Sequence, residues 1–341
     1  MLRAGFKWMF LIIGTTIGAG YASGRELWEF FGHGSGLAIV LFTIFFIMSC
    51  YVIMLISYKR SSTEYSPVLR EIVGKRLSLV YDVMIFFYLY TTTVVMMSGS
   101  GATGQAFNLP YWWGVLFIAI MLIILFLRDI RGLLSINQFI LPVLILGLLY
   151  VLLVFIFNED LRLFSHWHEQ QNWASAFPFT ALNILPLIAV LGAVGDKISS
   201  KKEIWVASVG SGVILGVLTY IYNSSLIQIA EEILVYEIPL FAILVDFPFH
   251  MVILMGILLW FAIYTTAASG ILGLTTRIAS YFNLPFWLLV TIILATMIPL
   301  TTVGFSTLVG VLYPLYGLLN LYVLTRILLF PIWYKPSNLK S

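Results

Sequence analysis

Long apolar runs alternate along this chain with short polar joints. A helix that crosses a hydrocarbon core of about 30 Å needs roughly twenty apolar residues. Runs of that order fall at approximately 7–31, 36–58, 78–104, 111–127, 133–157, 174–195, 204–230, 248–276, 284–303 and 305–329. The pattern therefore predicts an all-α integral membrane protein with ten transmembrane helices. The joints are too short for a separate soluble domain. The expected organisation is a first five-helix repeat over 1–157, an outer loop over 158–173, a second five-helix repeat over 174–330 and a tail over 331–341. Five spans per half is an odd number, so the halves enter the membrane from opposite faces. That is the inverted repeat on which many secondary transporters are built.

Span 1 is interrupted. Residues 14–24 read Gly-Thr-Thr-Ile-Gly-Ala-Gly-Tyr-Ala-Ser-Gly, with four glycines in eleven positions. Every backbone polar group in a bilayer needs a partner, so unwound backbone survives there only inside protein or beside a polar cavity. Ser23-x-x-Glu26 has the capping-box pattern that starts a helix, which predicts half-helices over about 5–13 and 23–31. The N–H groups of Gly18 to Ala22 would then remain free for an anionic ligand group, which is expected to meet those of Gly18, Ala19, Gly20 and Tyr21.

Span 6 carries Pro178, Thr180, Asn183, Leu185 and Pro186. Pro186 removes a helical hydrogen bond and suits the first turn of a new helix, so a second interruption is expected there. Asn183 and Thr180 supply side-chain polar groups at that point, beside apolar Ile184 and Leu185. Span 8 places Thr265, Thr266 and Ser269 in an otherwise apolar helix. Such hydroxyls commonly bond the carbonyl one turn back. Two of them beside a free carbonyl also make suitable ligands for a hard cation such as Na⁺.

With 61% hydrophobic and only 10% charged residues, the 341-residue chain is excluded from the soluble globular class. Its mean hydropathy is +1.02. Arg3 and Lys7 precede an apolar run without a small-residue cleavage site, so no removable signal peptide is expected. Cys50 is the sole cysteine and can form no intrachain disulfide. If ten spans are drawn, sixteen of the eighteen basic residues fall on one side, with only Arg25 and Arg162 elsewhere. By the positive-inside rule both termini are cytoplasmic. The net charge of +3 is thus a topology signal and does not point to a nucleic-acid partner.

Gly14-x-x-Ile17-Gly18-Ala19-Gly20 resembles the glycine-rich break in span 1 of LeuT-fold transporters of the amino acid–polyamine–organocation (APC) superfamily. Ala262-x-x-Thr265-Thr266 resembles their span 8 pattern. The whole chain is similar to the YkvI-like amino acid permease group of bacterial membrane proteins. The resemblance implies a LeuT-like fold and a sodium site made by the carbonyls of Gly14, Ile17 and Ala262 with the hydroxyls of Thr265 and Thr266. Tyr21 stands where sodium-dependent members often have asparagine, so a second, substrate-contacting sodium site is not expected. Residues 133–157 contain no lysine, the residue that replaces the cation in some proton-coupled relatives.

Arg25 and Glu29 are spaced i, i+4 for an ion pair, with Arg25 a candidate outer gate. Asp82 reads as an interfacial charge. His166 and His168 have no accompanying ligand cluster for a metal. The small residues over 97–104 read as a close-packing face. No span carries an acid/base or metal constellation for catalysis, so an enzyme is not expected. The sequence predicts a cell-membrane symporter for a small amino-acid-like substrate, working by alternating access, with Na⁺ as coupling ion and no other cofactor. An H⁺-coupled permease and a non-transporting ligand sensor, like the membrane subunits of germinant receptors, are the alternatives.

Overall fold

A computed structural model describes residues 2–127, 131–159, 170–282 and 284–333, with side chains left undescribed at 2, 131–139, 332 and 333. Most of the loop expected over 158–173, including Asp160, Arg162, His166 and His168, and most of the 331–341 tail lie outside these residues. The described residues form helices and turns with no strand. In chain order the helices are α1 (Leu2–Thr16), α2 (Ala19–Ala22), α3 (Arg25–Phe30), α4 (Gly36–Arg60), α5 (Tyr65–Val73), α6 (Lys75–Ala106), α7 (Tyr111–Leu127) and α8 (Arg131–Asn158). The second half adds α9 (Ala176–Gly192), α10 (Lys201–Gln228), α11 (Pro239–Ile243), α12 (Phe249–Ile278), α13 (Phe286–Met297), α14 (Phe305–Leu319), α15 (Leu321–Leu328) and α16 (Phe330–Trp333).

Among the described residues, seven helical stretches are singly long and apolar enough to span a bilayer. The expected spans 1, 4 and 10 account for the difference from ten. Span 1 is split into α1, α2 and α3; span 4 is the shorter α7; span 10 is α14 and α15, which meet at a 43° bend. The arrangement is compatible with ten crossings of a multi-pass membrane protein.

Two features depart from the expectation. Span 6 is not broken: α9 runs without interruption through Pro186. The proline has no N–H for the Leu182 carbonyl, yet the turn before it is braced by Asn183, whose Nδ2 donates to Phe179 O at 2.9 Å, and Thr180, whose Oγ donates to Ala176 O at 2.6 Å. The bend in span 10 had no sequence signal in its favour. It lies at Asn320, whose backbone continues the ladder on both sides, with its N–H on Tyr316 O and its carbonyl accepting from Leu324 N, each at 3.0 Å.

The small residues of span 3 do pack closely. A methyl group on Gly99 would lie 3.0 Å from the Phe305 ring, one on Gly101 would lie 2.5 Å from Tyr111, and one on Gly114 of α7 would collide with the Ser100 carbonyl. Without a hydrophobic force between helices in lipid, such close approach is what dispersion needs to hold a bundle together.

Candidate substrate and ion site

The helical ladder stops at Ile17 and Gly18. Gly18 N–H turns back to Thr16 O at 2.9 Å, and Ile17 N–H bonds Ile13 O at 2.8 Å. The carbonyls of Gly14 and Ile17 consequently receive no backbone N–H. Helix resumes at once as the single turn α2, closed by Ala22 N–H on Gly18 O and Ser23 N–H on Ala19 O, both at 2.9 Å. The N–H groups of Ala19, Gly20 and Tyr21 open that turn and meet no acceptor among the described residues. The N–H groups of Gly18 and Ala22, expected to be free, are both used. Space is left beside Gly18, where an added methyl group would find nothing within 4 Å.

The expected Ser23–Glu26 capping box does not form. Ser23 closes α2, and its hydroxyl donates to Gly20 O at 2.8 Å while accepting from Arg25 N–H at 3.2 Å. Gly24, with φ +80°, becomes the N-cap of α3. Only glycine adopts that left-handed conformation without strain. Span 1 thus has two interruptions, at Ile17–Gly18 and at Ser23–Gly24, and Glu26 is released from capping.

The middle turn is anchored. Tyr21 is fully buried, and its hydroxyl bonds the Thr219 hydroxyl of α10 at 2.9 Å. Tyr222 of the same helix donates to Ala22 O at 3.0 Å. The side chain of Tyr21 therefore faces α10, and only its backbone is available to a ligand. Helix α12 also packs against α2. In α12 the hydroxyls of Thr265 and Thr266 both donate to the Ala262 carbonyl, at 3.2 and 2.8 Å. The three groups of the span 8 motif thus converge on one point. Tyr264 is turned away, its hydroxyl on Met121 O of α7 at 3.3 Å and its ring stacked on Trp260.

Thr180, Asn183 and Leu185 are buried in α9. The polar groups of the first two serve the helix itself, as described above. Arg25 forms the expected ion pair with Glu29, at 2.7 Å. Glu29 in turn covers Gly310 of α14, where a methyl group would lie 3.1 Å from its carboxylate. Beyond the break, Phe179 of α9 fills the gap between α3 and α4, with ring centroids 4.6 Å from Phe31 and 4.7 Å from Phe42. Asn172 Nδ2 satisfies the end of α3 through Phe30 O at 3.0 Å and Phe31 O at 2.6 Å. These contacts tie α3, α4 and α9 together beyond the break.

At the other end Tyr65 of α5 donates to Asp82 Oδ1 at 3.0 Å and accepts from Arg277 at 2.6 Å, and Arg277 also bonds Asp82 O at 3.0 Å. Asp82 is thus held between α5 and α12 by these bonds. Among the described residues no cluster of three His, Cys, Asp or Glu could hold a metal.

Comparison with known proteins places this geometry. No family model matches the chain. It is 48% identical over 333 residues to the Bacillus subtilis (strain 168) protein YyaD, covering 98% of each. The chain belongs to the YyaD family. The YyaD family has a more distant relation in the B. subtilis membrane protein YkvI, 26% identical over 324 residues and 92% of each chain. The fold is LeuT-like. It aligns with the inward-facing conformation of Mhp1 at a TM-score of 0.70 and 12% identity, over 99% of this chain and 79% of that one. A manganese transporter of Eremococcus coleocola aligns at 0.61 and 13% identity, covering 96% and 79%. A Na⁺-coupled sialic acid symporter aligns at 0.54 and 13%, covering 98% and 86%. These structures are transporters and not enzymes. Mhp1 in a closed conformation aligns less well, at 0.52.

Proposed function

We propose that this chain is a secondary active transporter of a small amino-acid-like substrate in the cytoplasmic membrane, coupled to Na⁺ and working by alternating access around spans 1 and 6. The substrate carboxylate meets the free N–H groups of Ala19, Gly20 and Tyr21 beside the open space at Gly18. Thr180, Asn183 and Leu185 border its other end. Na⁺ is held by the carbonyls of Gly14, Ile17 and Ala262 and the hydroxyls of Thr265 and Thr266. Arg25, paired with Glu29 on α3, belongs to the outer gate, and both termini lie in the cytoplasm. The observation that carries the reading is the unwound Ile17–Gly18 backbone, which leaves carbonyls unsatisfied on one side and N–H groups on the other within a membrane segment. Such backbone persists at membrane depth where it serves a ligand.

Coupling is energetically worthwhile. One Na⁺ crossing at 100 mV releases about 2.3 kcal/mol, and a tenfold gradient adds roughly 1.4 kcal/mol. Together these support accumulation of a neutral zwitterion by several hundredfold, whereas a uniporter supports none. The test is uptake from a panel of labelled amino acids into proteoliposomes under an imposed Na⁺ gradient. Thr266→Ala should raise the Na⁺ concentration needed for half-maximal uptake. Equal uptake in sodium-free buffer, unchanged by Thr266→Ala, would refute sodium coupling.

A further inference from the structure

Glu26 takes no part in the site described above. It lies in the first turn of α3 and is 6% exposed. Among the described residues, neither of its oxygens has a hydrogen-bond or ion-pair partner. The side-chain atoms that are both fully enclosed and unpartnered include Arg25 Nε and the amide atoms of Asn320 but not the Glu26 oxygens, so its small exposure falls on the carboxylate. A methyl group on Gly20 would lie 2.8 Å from Glu26 Oε2 and 3.2 Å from the Tyr313 hydroxyl of α14. The carboxylate and that phenol therefore border one point on the floor of α2. The ring of Tyr88 on α6 meets that of Tyr316 on α14 edge-on at 5.1 Å.

The elements packed against α3 bring no cation to this point. From α14 come Tyr313 and Tyr316, from α2 Tyr21, and from α10 Tyr222, whose hydroxyl is used by Ala22 O. The α9 helix has no titratable side chain. On α3 itself Arg25 is engaged by Glu29 at 2.7 Å. An ionised carboxylate so placed has lost most of its water and gained no counter-charge, a cost that neutralising the group removes.

We propose that Glu26 is a proton-binding site, neutral while α3 is packed on α14 and ionised when that packing opens to water. Separation of α3 from α14 then releases one proton to the exposed side, and closure takes one up. The proposal is independent of the substrate and of the Na⁺ site, and it adds a proton to whatever else the cycle carries.

The test needs no substrate. Infrared difference spectra of the purified protein in lipid, recorded as pH is raised from about 6 to 10, should contain a protonated-carboxyl C=O band that disappears with rising pH. The band should be missing in Glu26→Gln, which imitates the neutral acid and keeps the fold, and retained in Glu29→Gln. In parallel, hydrogen exchange over residues 25–31, corrected for intrinsic pH dependence, should lose protection across the same pH range in the wild type and not in Glu26→Gln. Absence of a band that depends on Glu26 would overturn the proposal, because the carboxylate would then be ionised throughout and paired with a bound cation. Equal loss of protection in both proteins would overturn the link to helix packing.

Discussion

Gly18 and Gly20 stand two residues apart and answer to different constraints. Beside Gly18 the space is open, whereas a methyl group on Gly20 would meet Glu26 Oε2 at 2.8 Å and the Tyr313 ring at 2.9 Å. Gly20→Leu should therefore overpack the contact of α2 with α14, at a cost of about 1–3 kcal/mol, and lower the unfolding temperature in detergent. Gly18→Leu should unfold near the wild-type temperature yet lose ligand binding by calorimetry, because its side chain fills the space beside the free N–H groups. Matching losses of stability in the two variants would contradict this division. In the sequence the glycines themselves pointed to a break, although glycines such as those of α6 serve close packing in an unbroken helix. The role of Glu26 was not legible there. Ser-x-x-Glu spacing pointed to a reciprocal cap, but whether Ser23 opens one helix or closes another depends on where the preceding turn ends. That is fixed by the anchoring of Tyr21 to Thr219, a contact 198 residues away in sequence.

Helix α5 is tied to two spans through a single phenol. Tyr65 joins Asp82 of α6 to Arg277 of α12, and Arg326 adds a bond from α15 to Ile72 O at 3.0 Å. Arg277→Ala should loosen α5 and accelerate limited tryptic cleavage after exposed Arg70, a change read directly by mass spectrometry. Burial pushes the Tyr65 hydroxyl up, partly offset by the Arg277 charge. A raised value keeps the phenol neutral, so its contribution is complete below the ordinary tyrosine value of about 10 and is lost only as pH climbs through the higher folded value. The wild-type to Arg277→Ala ratio of cleavage rates should accordingly stay constant from pH 7 to 9; a steep change within that window would implicate another group. At the bend between α14 and α15, both amide atoms of Asn320 are buried without partners, a penalty of about 1–3 kcal/mol. Asn320→Leu should raise the unfolding temperature while slowing transport, on the view that the bend is kept for motion and not for stability. A variant that is both less stable and fully active would exclude that view.

Across the whole molecule, the ten apolar runs each coincide with helix because length and hydropathy alone decide what can cross a bilayer. The continuity of α9 was not legible in the same way. Pro186 removes one hydrogen bond, and whether a helix breaks there depends on neighbours such as α4 and α14 that clamp it from either side. The distribution of lysine and arginine predicts that a green fluorescent protein fused at the C-terminus will fluoresce, and that alkaline phosphatase fused there will be inactive; the reverse pattern would invert the assigned orientation. Span 1 also sets how such a bundle moves. A helix with one interruption behaves as a door on a single hinge, so that closing one face drags the other. Here α2 is bolted to α10 by Tyr21 and Tyr222 and has a break in the helical ladder at each end, at Ile17–Gly18 and at Ser23–Gly24. Helix α1 lies along the same α10, so α1 and α2 form one plate with it, and α3 is the lever that the second break uncouples from that plate.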